Sequence, residues 1–309
     1  MDRDKRMKID KFFKELEKDK EFSGGILIAQ GEKIIIKESY GIANHALNIK
    51  NQIKSKYLIA SITKSITAMA IMILNQQNKL DINDPLDKYI PDFLNGDRIT
   101  IHHLLTHTAG IWQDPEFIEN VKIPHTMTEL IGRFKHKKLE FEPGSKFEYS
   151  NLGYTMLAYI IEKVTGLSYE QFIQENIFDK LSMYDTGCYR NDNTVNQMTN
   201  GYIKVNEEII NCDVWELCNF KGSGDLYSTI DNLYVWTKAL ITGKLLEKQN
   251  NDKLLVDYGH IYDNFYYGYG KILYKKDGNI EYFYQDGGLP GFKSIYVVYP
   301  QRDLVIILL

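Results

Sequence analysis

A serine and a lysine three positions apart are the residues of this chain best suited to chemistry. Ser61 and Lys64 stand near the start of an apolar segment at residues 59–74. Apolar residues recur there at helical spacing and no Gly or Pro interrupts them, so the pattern predicts a buried helix from Ser61. Residues i and i+3 share a helix face, and a serine hydroxyl becomes a nucleophile when a nearby base takes its proton.

Lys64 can act as that base only if its pKa falls. Burial in an apolar helix and the positive end of the helix dipole both lower the pKa of a lysine. At the helix start, Ser61 also presents its own backbone N–H to an oxyanion. The alternative is a solvated helix face, since Ser-x-x-Lys arises by chance about once in a chain of this length. The apolar residues around Lys64 favour the catalytic interpretation.

Composition indicates a globular protein with one large domain or two lobes. The 309 residues carry a formal net charge of -4, which argues against a nucleic-acid partner. Cys188, Cys212 and Cys218 lack metal-ligand spacing and are interpreted as free thiols, a weak sign of a reducing compartment. No apolar signal core follows Met1, and we predict no membrane span. The predicted location is cytoplasmic, or extracytoplasmic if an export signal has been removed, and the oligomeric state stays open.

Strand patterns at both ends of the chain predict an α+β fold. Gly24–Gln30 and Lys33–Tyr40 are β-rich runs on either side of Gly31-Glu32, which predicts a hairpin. Four more strands are predicted at 266–274, 280–285, 293–299 and 304–309. Together they predict one antiparallel β-sheet built from the N- and C-terminal segments and flanked by helices, with a mainly helical insertion.

The middle of the chain alternates helical and aperiodic segments. Helices are predicted at 7–20 on the surface, at 152–164 with an end at Gly166, at 169–178, and from a cap at Ser228 or Thr229 to Leu240. Residues 111–128 and 187–221 are aperiodic and are expected to supply loops and the walls of a pocket. Gly222-Ser223-Gly224 is not a phosphate-binding loop, because neither a preceding strand nor the Lys-Ser/Thr ending is present.

His103 and His107 are four residues apart, which is a spacing used by zinc ligands on a helix. A third ligand and an intervening carboxylate are both missing, so we predict no metal and no other cofactor. The segment is interpreted as a structural helix end closed by Gly110.

Four motifs together resemble the serine β-lactamase and penicillin-binding protein family. The likeness is to the branch with class C β-lactamases, D-amino-acid peptidases and related esterases. The motifs are Ser61-Ile62-Thr63-Lys64, then Leu104-Leu105-Thr106-His107-Thr108-Ala109-Gly110, then Pro143-Gly144 leading to Tyr149-Ser150-Asn151, then Gly287-Gly288-Leu289-Pro290-Gly291-Phe292. The resemblance covers about 24–309. It implies a single β-lactamase-like domain over 1–309, with an α/β lobe at about 1–60 and 225–309 and a helical lobe at about 61–224.

The resemblance also implies a role for each matched position. Ser61 is the acylated nucleophile and Lys64 its proton partner, while Tyr149 shuttles a proton through a phenol whose pKa is lowered beside the lysine. Asn151 orients Lys64 and binds a substrate carbonyl, and Gly288 supplies the second oxyanion N–H. The alternative for Tyr149 and Asn151 is a packed ring and a helix cap.

Two features depart from the family pattern. Gln285-Asp286-Gly287 stands where relatives place Lys or His, a small residue and Gly. A neutral hydrogen bond in place of a charge-assisted one to a substrate carboxylate costs roughly 1 kcal/mol or more, so efficient β-lactamase action is disfavoured. Relatives also continue past the last strand into a helix that covers the sheet; here that cover is absent from the sequence or supplied by the N-terminal segment.

The sequence therefore predicts a serine hydrolase that forms an acyl-enzyme on Ser61. The expected substrate is a small molecule or short peptide, namely an ester, an amide or a D-amino-acid peptide, with Asn151, Gln285, Gly287 and Gly288 as substrate-binding positions. The alternative is a penicillin- or peptidoglycan-binding sensor module with little turnover, which the exchange at Gln285 motivates.

Overall fold

The structure, a computed structural model, describes residues 3–111, 121–213 and 215–309. The α-helices in these ranges are α1 (Arg3–Lys18), α2 (Thr63–Gln76), α3 (Ile101–Leu105), α4 (Met127–Phe134), α5 (Asn151–Thr165), α6 (Tyr169–Ile173), α7 (Asp179–Leu181), α8 (Ile230–Thr242) and α9 (Lys248–Asp252). The strands are β1 (Gly24–Gln30), β2 (Lys33–Tyr40), β3 (Ile42–Asn44), β4 (Ile49–Lys50), β5 (Tyr57–Leu58), β6 (Gly187–Cys188), β7 (Tyr202–Val205), β8 (Glu208–Asn211), β9 (Leu226–Ser228), β10 (Gly259–Tyr262), β11 (Phe265–Tyr267), β12 (Ile272–Lys276), β13 (Asn279–Leu289), β14 (Phe292–Tyr299) and β15 (Leu304–Leu308).

The main sheet is antiparallel and joins the two ends of the chain. Its strand order is β10-β11-β12-β13-β14-β15-β1-β2. Strand β1 pairs with β2 on one side and with β15 on the other, where Ile26 faces Leu308. The predicted α+β class, with a sheet built from the N- and C-terminal segments and a mainly helical insertion, is confirmed. The division into two lobes stays a prediction.

Helix α2 lies at the centre of the molecule. Every residue from Thr63 to Leu74 is buried, so the helix has no solvent face over most of its length. It packs on α5 and α6. The helix begins two residues later than predicted, because Ala60–Ile62 forms a 3₁₀ turn in which the Ile62 N–H bonds to Ile59 O at 3.1 Å.

Caps determine where the longer helices begin and end. Helix α5 begins after Ser150, whose Oγ accepts the N–H of Gly153, and ends at left-handed Gly166. Helix α8 begins after Thr229, one of the two predicted caps, and continues two residues past Leu240. The predicted helix at 169–178 is α6 followed by a π-helical turn at Gln174–Phe178.

Two sequence predictions are wrong in detail. Residues 266–274 are not one strand, because a tight turn separates β11 from β12. In this turn the Gly268 N–H bonds to Lys271 O, and Gly270 has φ +71°. A Cβ on Gly270 would lie 2.6 Å from Lys64 O, so this turn presses directly on α2. Helix α3 is not closed by Gly110; it ends at Leu105, and His107 already has a left-handed φ of +58°.

Helix α1 covers part of the outer face of the sheet. Phe13 packs among Ile26, Ile36 and Tyr40, and its ring lies 5.0 Å from that of Phe22. The N-terminal segment therefore supplies cover at the β1–β2 side of the sheet. Residues 187–213 and 215–221 form loops and short strands, as predicted, together with a 3₁₀ turn at Leu217–Phe220. The predicted irregular connection at 111–128 falls partly on residues 112–120, which lie outside the described ranges.

Candidate active site

Ser61 lies in the 3₁₀ turn that precedes α2, and it is partly exposed. Ala60, the residue before it, has a left-handed φ of +45°, a strained conformation for a residue with a Cβ. Strands β13 and β14 hold this turn. The Ser294 hydroxyl donates to Ile59 O at 2.8 Å, and a Cβ on Gly287 would lie 2.4 Å from the same oxygen. Because Gly287 has no side chain, strand β13 can pack closely against the turn that carries Ser61.

Lys64 is fully buried and makes three polar contacts. Its Nζ lies 3.0 Å from Ser61 Oγ, 2.8 Å from Asn151 Oδ1 and 2.7 Å from the backbone oxygen of Ser223. Burial lowers the pKa of Lys64 well below its usual value, and the Asp286 carboxylate opposes that shift. A neutral amine has two N–H donors and one lone pair. In the charged form the ammonium donates to all three partners, including Ser61 Oγ; in the neutral form, with its two N–H groups on Asn151 and Ser223, the lone pair would face Ser61.

Tyr149 closes the site on the side of α5. Its hydroxyl hydrogen-bonds with Ser61, and Lys64 Nζ lies 4.7 Å from the centre of its ring. Burial raises the pKa of the Tyr149 phenol far above its usual value, so the expected lowering is wrong. The physical reason is that burial penalises the charged phenolate more than the hydrogen bond with Ser61 favours it, and the nearby Asp286 carboxylate adds to the rise in pKa. The Tyr149 phenol is therefore protonated at rest.

Sequence reasoning missed two contacts of this site. His107 supports the Tyr149 segment: its Nδ1 accepts the N–H of Ser150 at 3.0 Å, and its ring lies 4.4 Å from that of Tyr149. Ser223 supplies the carbonyl that Lys64 contacts. The sequence signals for these contacts were the motif that contains His107 and the run Gly222-Ser223-Gly224, but neither pattern names the partner residue.

The strand edge beside Ser61 carries Gln285 at the position where the family resemblance predicts a cation. Gln285 is 1% exposed, and its Nε2 donates to Asp286 O at 2.9 Å, while its Oε1 has no partner among the described residues. The side chain of Asp286 is exposed to solvent. Gly287 and Gly288 follow on the same strand, and Lys293 lies beside Gly288 on β14.

His103 and His107 do not converge. His103 Nδ1 accepts the N–H of Thr100 in a helix cap, whereas His107 Nδ1 binds Ser150. Within the described ranges, no three His, Cys, Asp or Glu side chains form a group that could hold a metal ion. A search of the same residues for a helix with the length and hydropathy of a bilayer-spanning segment found none.

The fold and the arrangement around Ser61 define a β-lactamase-type protein. A family model described as Beta-lactamase matches residues 9–309, so the chain belongs to the Beta-lactamase family.

Named relatives agree with this assignment. The chain is 29% identical over 305 residues to a putative penicillin-binding protein, PbpX, of Bacillus subtilis, an alignment that covers 99% of this chain and 73% of the relative. The crystal structure of a penicillin-binding protein from Bacillus halodurans superposes with a TM-score of 0.88 at 29% identity, covering 96% of this chain and 92% of that one. A D-stereospecific amidohydrolase from Streptomyces shares the fold, with a TM-score of 0.78 at 22% identity and coverage of 93% and 88%.

Proposed function

We propose that this protein is a serine hydrolase that acylates Ser61 with an ester, an amide or a D-amino-acid peptide of modest size and releases the acyl group to water. The observation that carries the proposal is the contact set of Lys64. Two acceptors, at Asn151 and Ser223, take the N–H groups of a buried amine whose lone pair then faces the Ser61 hydroxyl. Membership of the Beta-lactamase family and the amidohydrolase among its structural neighbours support hydrolysis as the reaction class.

In this mechanism, Ser61 Oγ attacks the substrate carbonyl while its proton passes to Lys64 Nζ. The backbone N–H groups of Ser61 and Gly288 stabilise the oxyanion. Tyr149 keeps its proton at rest because burial raises the pKa of its phenol. It gives that proton to the leaving alcohol or amine and is reprotonated from Lys64, which restores the neutral amine. Water then attacks the acyl-enzyme, and the same groups return the proton to Ser61.

The test is labelling with a fluorophosphonate, a probe that phosphonylates an activated serine. The wild type should be labelled at Ser61 and should hydrolyse short-chain nitrophenyl esters, whereas Ser61→Ala should do neither. Ser65→Ala is the matched control, since Ser65 lies on the same helix but its hydroxyl donates to Ile62 O. The labelling rate should rise with pH through the depressed pKa of Lys64, because only the neutral amine accepts a proton. A wild type that neither labels nor cleaves esters would end the catalytic proposal.

A sensor module that binds penicillin or peptidoglycan without turnover is the second candidate. It is favoured by Gln285, which ties its only donor group to Asp286 O and offers no charge to a substrate carboxylate. Mass spectrometry after exposure to penicillin separates the two. A stable adduct on Ser61 supports the sensor, whereas rapid ester cleavage without an adduct supports the hydrolase.

A further inference from the structure

The turn at residues 220–225 carries the carbonyl that Lys64 contacts. At 2.7 Å, Ser223 O is the nearest of the three polar partners of Lys64 Nζ. A backbone carbonyl oxygen can only accept a hydrogen bond, so this contact determines where one N–H of the amine points. The position of Ser223 O therefore helps to decide where the lone pair of Lys64 lies.

Asp225 fixes this turn from inside the protein. Its Oδ1 accepts the backbone N–H of Gly222 at 3.0 Å, and the residue is 2% exposed. Burial raises the pKa of the Asp225 carboxyl to about 7, while the Gly222 N–H, the Lys221 ammonium and the Cys188 thiol favour its charged form. Burying a carboxyl group is costly unless hydrogen bonds compensate for the lost water. Here a backbone N–H of the Lys64-binding turn supplies one of them.

Helix α2 holds the same turn from the other side. Thr67, three residues after Lys64, donates its hydroxyl proton to Gly222 O at 2.6 Å, and its Oγ1 lies 2.7 Å from Tyr169 OH. Gly222 has φ +75°, and a Cβ there would lie 2.6 Å from Ala158 Cβ on α5. Both polar groups of Gly222 are thus fixed, by Asp225 at the N–H and by Thr67 at the carbonyl.

We propose that Asp225 is a positioning residue for Lys64: its carboxyl group holds the Gly222 N–H, so that Ser223 O orients the amine with its lone pair toward Ser61. The inference rests on the proposed function of Lys64 as the base. It also gives Gly222-Ser223-Gly224 a role, since this run makes the turn that places the carbonyl. Asp225 acts through this turn and is not assigned a contact with substrate.

The experiment compares Asp225→Ala with Asp225→Asn. Asparagine keeps an oxygen that can accept the Gly222 N–H, whereas alanine removes it. A misplacement of about 1 Å at a reacting group can cost roughly 100-fold in rate, so the labelling rate of Asp225→Ala should fall by about 10- to 100-fold, with Asp225→Asn within about threefold of the wild type. For ester hydrolysis the loss should appear in kcat with KM little changed. Equal rates in the two variants would overturn the proposal.

A stability control and a second variant keep the result interpretable. Leu240→Ala creates a cavity in α8, outside the Lys64-binding turn, and should retain the labelling rate at a similar loss of thermal stability. If Leu240→Ala lost as much labelling rate as Asp225→Ala, the effect of Asp225 would be explained by loss of stability alone, and the proposal would be contradicted. If Asp225→Ala does not fold, Thr67→Val tests the same turn, and Thr67→Ser should restore the rate that Thr67→Val loses. Wild-type rates in Thr67→Val would contradict the proposal.

A crystal structure of the Asp225→Ala protein gives a readout that does not depend on activity. Ser223 O should move beyond hydrogen-bond distance of Lys64 Nζ, whereas an unchanged 2.7 Å contact would refute the proposal. Because this measurement needs no turnover, an inactive wild type would count against the hydrolase function and leave the positioning role to be judged from the structure.

Discussion

Replacing Lys271 with methionine should stabilise this protein, and the gain should shrink at alkaline pH. Lys271 lies in the turn between β11 and β12 and is fully buried. Its Nζ donates to the backbone oxygen of Tyr269 at 3.1 Å. Burial lowers the pKa of Lys271 from 10.5 to about 7. The mechanism proposed above does not use this amine, so its stability effect can be measured separately from catalysis.

The magnitude follows from proton linkage. A lysine whose pKa falls on folding binds its proton more strongly in the unfolded chain than in the fold. It therefore destabilises the fold at low pH, and this destabilisation disappears as the pH rises through 10.5, the pKa of the unfolded state. The pKa of Lys271 falls from 10.5 in the unfolded chain to about 7 in the fold. At about 1.4 kcal/mol for each pKa unit, the buried amine therefore destabilises the fold by roughly 5 kcal/mol below pH 7. At about pH 9 the folded lysine is neutral, and roughly 2 kcal/mol remains. Methionine has a similar length and carries no charge, so it removes this destabilisation. The loss of the hydrogen bond to Tyr269 reduces the gain in stability by about 1 kcal/mol at either pH.

Urea unfolding followed by circular dichroism at pH 6 and pH 9 measures this effect. We expect Lys271→Met to exceed the wild type in unfolding free energy at both values, with the larger gain at pH 6. Lys276→Met is the control, because Lys276 is an exposed residue of strand β12 and should show little change. A gain of the same size at both pH values, or a loss at pH 6, would show that the buried amine is not the source of the cost.

Two further substitutions test the strand edge beside Ser61. Gly287→Ala should abolish fluorophosphonate labelling, since its Cβ would lie 2.4 Å from Ile59 O. Gly132→Ala is the control and should label normally, because nothing lies within 4 Å of a Cβ at that position. Full labelling of Gly287→Ala would contradict the close approach of β13 to Ile59. Gln285→Lys should raise the rate of Ser61 acylation by penicillin about tenfold, because it restores a charge-assisted hydrogen bond to the carboxylate. Mass spectrometry of the adduct measures this rate, and equal rates in wild type and variant would refute the assigned role of Gln285.

Local patterns in the sequence predicted the features that are formed by residues close together along the chain. Runs of β-forming residues on either side of Gly31-Glu32 predicted β1 and β2 with their observed bounds, and helical spacing predicted that Lys64 lies near Ser61. The cap at Thr229 was also recognisable from residue type and position. These features depend on backbone geometry over a few residues, which a single sequence displays directly.

The missed contacts depend on tertiary structure. Ser223 reaches Lys64 across 159 positions, and His107 reaches Ser150 across 43. Residue type alone cannot reveal such pairs, since Gly222-Ser223-Gly224 is also a plausible turn and His107 a plausible metal ligand. The predicted lowering of the Tyr149 pKa was wrong for a related reason, because the direction of the shift depends mainly on how deeply the phenol is buried in the folded protein.

The exchange at Gln285 and the raised pKa of Tyr149 are connected. Lys64 and Tyr149 can exist as a neutral amine with a neutral phenol, or as an ammonium with a phenolate, and the two states hold the same number of protons. Burial favours the neutral pair because it penalises both charges of the other state. Asp286 raises the pKa of both groups, so it disfavours the phenolate. A cation at position 285 would oppose that effect, and Gln285 provides none. Burial is therefore the main reason that Tyr149 keeps its proton, and Gln285→Lys, which adds a positive charge nearby, should lower the pKa of that phenol as well as attract a carboxylate.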